Sequence, residues 1–220
     1  AGTEVGLSLT SVTLSGHTAT YGGAIYLGPC SAASVKASTL SDNVASSIGG
    51  AIMDSGSTWS VTASTLSGNS TDGLGGALFS NGGITLTAST LSANAAGDLG
   101  GGLFVAAGTA AVTNSTLSGN SAKYGGGIYN YSDAVDVTVI NSIVSSNMAI
   151  EGDGGGINNL VGTLHVIDST FSVNSATNEP YGIYSFKGNG GGINNVGGTL
   201  NVAGSTFSTN TAEVYGGGTN

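Results

Sequence analysis

Carboxylates are the only plentiful groups in this sequence that could carry acid–base or metal chemistry. Twelve acids stand against three basic residues, Lys36, Lys123 and Lys187, with no arginine, and the net charge is −9. Cleavage of acidic polysaccharides needs neighbouring aspartates, as general acid and base or as calcium ligands, with a basic group to take a proton. Here Asp42, Asp54, Asp72, Asp98, Asp133, Asp136 and Asp168 are spread along the chain. They read as solvated charges that keep the protein soluble. Glu151-Gly152-Asp153-Gly154 resembles a calcium turn, but it occurs once, and a solvated turn is the simpler reading. Cys30 is alone, and His17 and His165 lie far apart, so no intrachain disulfide or metal set is expected. With so few cations, nucleic-acid binding is excluded. The expectation is a non-enzyme without metal or cofactor.

Any site must therefore be built by repetition. Ser-Thr-Leu/Phe-Ser-x-Asn recurs along the chain, ending at Asn43, Asn69, Asn94, Asn120, Asn147, Asn174 and Asn210, with His17 closing a first copy; Ile143-Val144 stands in for Thr-Leu before Asn147. From His17 the spacings are 26, 26, 25, 26, 27, 27 and 36. Gly-Gly-(Ala/Gly)-(Ile/Leu) is interleaved, from Gly22-Gly23-Ala24-Ile25 to Gly190–Ile193, with a last copy at Gly216–Thr219. Between them run apolar residues at alternate positions, such as Leu7/Leu9, Ile84/Leu86, Val137/Val139 and Leu200/Val202. A period of two is that of a strand, and no segment has the period of a helix. A single domain over 1–220 follows: an all-β, right-handed parallel β-helix (β-solenoid) of about eight coils, each of three short strands, without evident caps. Glycines are expected at the corners that need φ > 0.

Stacking such coils puts like residues in columns. Leu14, Leu40, Leu66, Leu91, Leu117, Val144, Phe171 and Phe207 should form one inward column, and Ile25, Ile52, Leu78, Leu103, Ile128, Ile157 and Ile193 another. The asparagines should form an amide ladder at a corner. Outward, Thr13, Thr39, Thr65, Thr90, Thr116, Thr170 and Thr206, broken at Ile143, make a hydroxyl face beside a serine column. It resembles the ice-binding faces of some β-solenoids, although β-branched hydroxyl residues also simply suit a solvated strand. Tyr26, Phe79, Phe104 and Tyr129 should form an exposed aromatic stripe, a contact surface. An insertion at about 176–188 carries Tyr181, Tyr184 and Phe186, a candidate binding surface or a loop folded over that stripe.

The paired tetrapeptides Gly-Gly-Ala-Ile (Gly22–Ile25, Gly49–Ile52) and Phe-x-x-Asn (Phe171–Asn174, Phe207–Asn210) resemble those of polymorphic outer-membrane protein repeats, with Leu usually in place of Phe. The resemblance covers nearly the whole chain. It implies a β-helical surface region of the kind found in bacterial autotransporters and adhesins, hence an exported, extracellular or cell-surface protein. No apolar run approaches the roughly 18 residues of a membrane span. The chain starts at Ala1 without a Met, so a leader was removed or the segment belongs to a longer chain.

The two ends are complementary in phase. Ten residues from Asn210 to the end and seventeen more to His17 of a second copy make 27, an ordinary coil. Head-to-tail stacking into a filament or stalk is the favoured expectation, with Leu200, Val202, Phe207 and Thr219 of one copy meeting Val5, Leu7, Leu9, Val12, Leu14 and Ile25 of the next. A heterologous contact of this kind does not close, and it generates fibres. The alternatives are an adhesive or ice-binding module recognising a carbohydrate or cell-surface ligand, and a polysaccharide-active enzyme.

Overall fold

The structure, a computed structural model, describes residues 6–29, 32–177 and 188–220. Val5, Tyr181, Tyr184 and Phe186 lie outside the described residues. The described chain is a parallel β-solenoid without helix, wound from four parallel sheets. Sheet A runs from Gly6–Thr10 to Thr199–Ala203, sheet B from Thr13–Ser15 to Thr206–Ser208 and sheet C from Thr18–Tyr21 to Thr211–Ala212, each with eight strands. Sheet D runs from Ile25–Leu27 to Ile193–Asn195 with seven. The unbroken stretch 32–177 winds about six turns, at four strands per turn.

Two details of the expected coil are thereby corrected. Turns have four sides instead of three, and equal coils do not run to eight. Sheet C was the side missed, because most of its strands are two residues long, such as Ser70–Thr71 and Ala95–Ala96. Two residues cannot display an alternation.

The inward columns form as their spacing requires. Leu40, Leu66, Leu91, Leu117, Val144 and Phe171 are fully buried and in register, Leu66 pairing Leu40 on one side and Leu91 on the other. Sheet A adds two inward residues per strand, such as Leu86 with Ile84 and Val139 with Val137. These alternating side chains fill one continuous core along the axis. Phe171 and Phe207 stack within it, with centroids 4.9 Å apart.

Corners explain the rest of the repeat. At the C-to-D corner the first glycine is left-handed, with φ +72° at Gly75. A Cβ there would lie 2.4 Å from the Leu78 carbonyl oxygen, and one on Gly76 would lie 2.1 Å from that of Gly101. Close backbone approach thus enforces Gly-Gly. Of the other three corners, A-to-B and B-to-C are left-handed as well, yet their turning residue is mostly not glycine, whereas glycine was expected where φ > 0 is needed. Ala37, Ala63, Ala88, Asn114, Asn141 and Asp168 turn sheet A into B, and Asp42, Ala93, Ser146 and Val173 turn B into C, all with φ between +47° and +59°. Such a conformation costs an L-residue roughly 1–2 kcal/mol.

At both corners the strained residue immediately precedes a buried residue that bonds to the next turn. After Ala63, Ser64 donates its backbone N–H to Ser89 Oγ (3.1 Å) and its hydroxyl to the Thr62 carbonyl (2.8 Å). After Ala93, Asn94 donates its N–H (3.1 Å) and its Nδ2 (2.9 Å) to Asn120 Oδ1, and Nδ2 also donates to the Leu66 carbonyl (3.0 Å). Its own Oδ1 accepts N–H and Nδ2 from Asn69, both at 3.0 Å. Every donor and acceptor of that buried carboxamide is used. The pattern repeats from Asn43 to Asn174 and ends on Asn210.

An Asn120→Ala substitution leaves the Asn94 amide groups, the Leu91 carbonyl and Asn147 Oδ1 short of partners inside the protein. The expected loss is about 3–5 kcal/mol, at roughly 1–3 kcal/mol per buried group orphaned. Ser118→Ala, on the outward side of the same turn, should change stability by less than about 0.5 kcal/mol. Denaturant melts of the two variants make the comparison.

Candidate functional surfaces of the solenoid

Sheet B presents the hydroxyl face. Its outward threonines and serines stack in register, Thr65 between Thr39 and Thr90, and Ser67 between Ser41 and Ser92. Ile143, 46% exposed, interrupts the threonine column between Thr116 and Thr170.

The outer face of sheet D differs from expectation. Tyr26 is exposed, but Phe79, Phe104 and Tyr129 are only 8%, 3% and 6% exposed. They stack nearly parallel, with centroids 5.2 Å and 5.6 Å apart. Ile48, Leu74, Leu99 and Tyr124, which precede the Gly-Gly corners, make a further parallel ladder and pack over them. The expected exposed stripe is therefore a second buried cluster outside the main core, because chain that reads as a loop folds back on it. Tyr131 is the exposed member, its ring tilted against Phe104 at 5.9 Å. Further along, the column becomes polar, with Asn194 Nδ2 donating to Asn158 Oδ1 (2.9 Å) and Asn220 Nδ2 to Asn194 Oδ1 (3.1 Å).

Burial in the second cluster perturbs one titration. Desolvation pushes the Tyr129 phenol up to about 12, helped by the nearby Tyr124, Tyr131, Asp98 and Asp153.

Two carboxylates have defined work. Asp54 is fully buried and accepts from the amides of Gly56 (3.1 Å), Ser57 (2.7 Å) and Asn81 (3.2 Å), pinning the D-to-A turns. Asp153 accepts from Gly188 (3.1 Å) and Asn189 (2.9 Å), so the calcium-like turn clasps the chain of the next coil. Glu151 pairs with Lys123 at 3.8 Å. His165 Nδ1 lies 3.4 Å from Asn201 Nδ2. Among the described residues no three His, Cys, Asp or Glu side chains are grouped to hold a metal ion, and no helix is long and apolar enough to cross a membrane. A shallow depression of about 490 Å³ lies on the outer side of sheet A, floored by small residues including Gly6, Ser8, Ala32 and Ser34.

The residues expected at the stacking ends are placed as follows. Leu7, Leu9 and Leu14 at one end and Leu200 and Phe207 at the other are half-buried and rest on the core. Val12 is half-buried, Ile25 is buried, Val202 is 44% exposed, and exposed Thr219 bridges to Ile193. Equivalent residues of inner turns, such as Leu86 and Leu91, are fully buried. The fold thus sets these residues at opposite ends of the rod.

Two features escaped the sequence reading. The serine ladder was signalled by the first Ser of each motif, which recurs as faithfully as the Asn. The second amide ladder, Asn130 to Asn159 to Asn195 with steps of 2.6 Å, was signalled by Asn two positions after the inward Ile. It stops where Val105 takes the same position, and Asn130 Oδ1 is left buried without a partner.

Four-sided parallel winding with ladders at its corners defines a β-solenoid repeat protein. Residues 114–131 match the Chlamydia polymorphic membrane protein repeat. That stretch spans one turn's Leu117-to-Asn120 motif and its Gly125–Ile128 corner. Together with the solenoid, the match fits a β-helix repeat protein of the polymorphic outer-membrane protein type. Neither a curated protein nor a solved structure gives a match. The repeat family implies a location at the cell surface or outer membrane.

The Tyr129 shift sets an alkaline limit. An unfolded chain ionises this phenol near 10 and the folded chain near 12, so above pH 10 the unfolded state binds fewer protons and stability falls until about pH 12. Thermal melts across that range should show a loss of roughly 2 kcal/mol that Tyr129→Phe largely removes.

Proposed function

We propose that this chain serves as an extracellular structural rod, a surface stalk or filament segment, and works by scaffolding instead of catalysis. The observation that carries the reading is the continuity of the axial bonding. Serine and asparagine ladders run from Ser38 and Asn43 to Ser205 and Asn210, and the best-connected carboxylates, Asp54 and Asp153, are spent on holding turns together. A repeat of the surface-protein type supports the location.

Head-to-tail stacking of copies is the finer form of this proposal. Sheets A and B carry matching inward residues at both ends, Leu7, Leu9 and Leu14 against Leu200, Val202 and Phe207. One copy's last turn can therefore extend the register of another's first, which supports a homopolymeric partner. A second reading, an adhesive module, rests on the in-register hydroxyl face of sheet B. There a regular array of Thr and Ser would meet a carbohydrate, a cell-surface ligand or ice.

Electron microscopy of the purified chain separates the readings. Stacking predicts unbranched fibres whose axial repeat is near eight strand spacings, roughly 38 Å. Monomeric short rods at high concentration would contradict stacking and leave the hydroxyl face as the working surface.

A further inference from the structure

Two Asn-Gly pairs occur among the described residues, Asn81-Gly82 and Asn189-Gly190, and the fold treats them in opposite ways. Asn81-Gly82 is the whole of the crossing from sheet D to sheet A in its turn, between Leu78–Ser80 and Gly83–Thr87. The Asn81 side chain is exposed and makes no hydrogen bond among the described residues, while its backbone N–H is tethered to the buried Asp54 carboxylate (3.2 Å). The Gly82 amide nitrogen donates to no acceptor among the described residues. At the other pair, Asn189 is half-buried with its Oδ1 inside the protein, and the buried Gly190 donates its amide to the Tyr215 carbonyl at 2.8 Å.

We propose that Asn81 is a site of spontaneous self-modification in the folded rod, converting to aspartate and isoaspartate, while Asn189 is held inert. In the reaction the Gly82 amide nitrogen attacks Asn81 Cγ. A C–N bond forms, the Cγ–Nδ2 bond breaks, and ammonia leaves with the proton from Gly82, closing a five-membered imide. Water then opens the imide at either carbonyl. Opening at the α-carbonyl gives isoaspartate, and opening at Cγ gives aspartate. The only co-reactant is water. Gly82 has no side chain to obstruct the attack, and its N–H has no bond to break first. Gly190 would have to leave Tyr215 before its nitrogen could react, and a step that needs local opening is slowed by the cost of that opening.

Each conversion adds a negative charge to a chain already at −9. The isoaspartyl product also reroutes the backbone through an extra methylene in a two-residue turn. Its liberated carboxylate sits on the residue whose amide Asp54 binds, so two like charges are brought together at the turn that Asp54 pins.

The intact folded protein is aged in mildly alkaline buffer at physiological temperature. It is then probed with protein isoaspartyl methyltransferase and a labelled methyl donor, followed by peptide mapping. Label and amide-to-acid mass change should appear at Asn81 at least about tenfold faster than at Asn189, and Asn81→Gln should remove most of the label. In denaturant the two sites should convert at comparable rates. Equal conversion of Asn189 in the folded chain would overturn the proposal. So would an Asn81 that stays amide while a short peptide containing Asn81-Gly82 converts. Gly82→Ala is unsuitable as a variant, since its Cβ would fall 2.0 Å from the Ser57 carbonyl oxygen.

Discussion

One buried carboxamide per turn holds this structure together. A parallel solenoid must turn sharply at each corner, and at two of its corners the chain does so with a left-handed residue that is mostly not glycine. Each such residue costs free energy locally. The cost is offset because the next residue is placed inside the corner, where its side chain completes hydrogen bonds to the turns on both sides. For Asn94 that means two bonds to Asn120, one to Leu66 and two accepted from Asn69. An unmade bond at such a depth is expensive, so the sequence keeps Asn there turn after turn while the strained position before it varies among Asp, Gly, Ala, Ser, Val and Thr.

This constraint fixes the register of everything else. Once the corners are pinned in line, Leu stacks on Leu in sheet B and Ile on Ile in sheet D, and the outward columns of Thr and Ser align without needing contacts of their own. Where the ladder chemistry stops, the packing shows it. The second amide ladder ends at Asn130 against Val105, and an orphaned acceptor remains there. At His17 the backbone bond to Asn43 Oδ1 survives (3.1 Å), but that position brings no second amide donor to it.

Much of this was legible in the sequence because repetition makes a weak signal strong. The inward Leu and Ile columns, the parallel winding and the amide ladder follow from spacing alone. The fourth side was not legible, since strands of two residues such as Ser121–Ala122 carry no alternation. Burial of Phe79, Phe104 and Tyr129 was not legible either. It depends on Leu74 and Leu99, which stand singly among Gly and Asp, folding back over a face that alternation marks as solvent. The surfaces proposed for function are hard to read for a related reason. A hydroxyl column that binds something and one that merely suits a solvated strand have the same sequence.

Native-state hydrogen exchange of the ladder amides tests the central claim most directly. If the axial carboxamide ladder is the keystone, the backbone N–H groups of Asn69, Asn94, Asn120 and Asn147, each bonded to the Oδ1 of the next turn, should exchange only through global unfolding, as slowly as the inner strands of sheet A. Exchange of these four at the rate of solvent-facing corner amides, with sheet A still protected, would show that the core alone holds the turns and that the ladder merely decorates them.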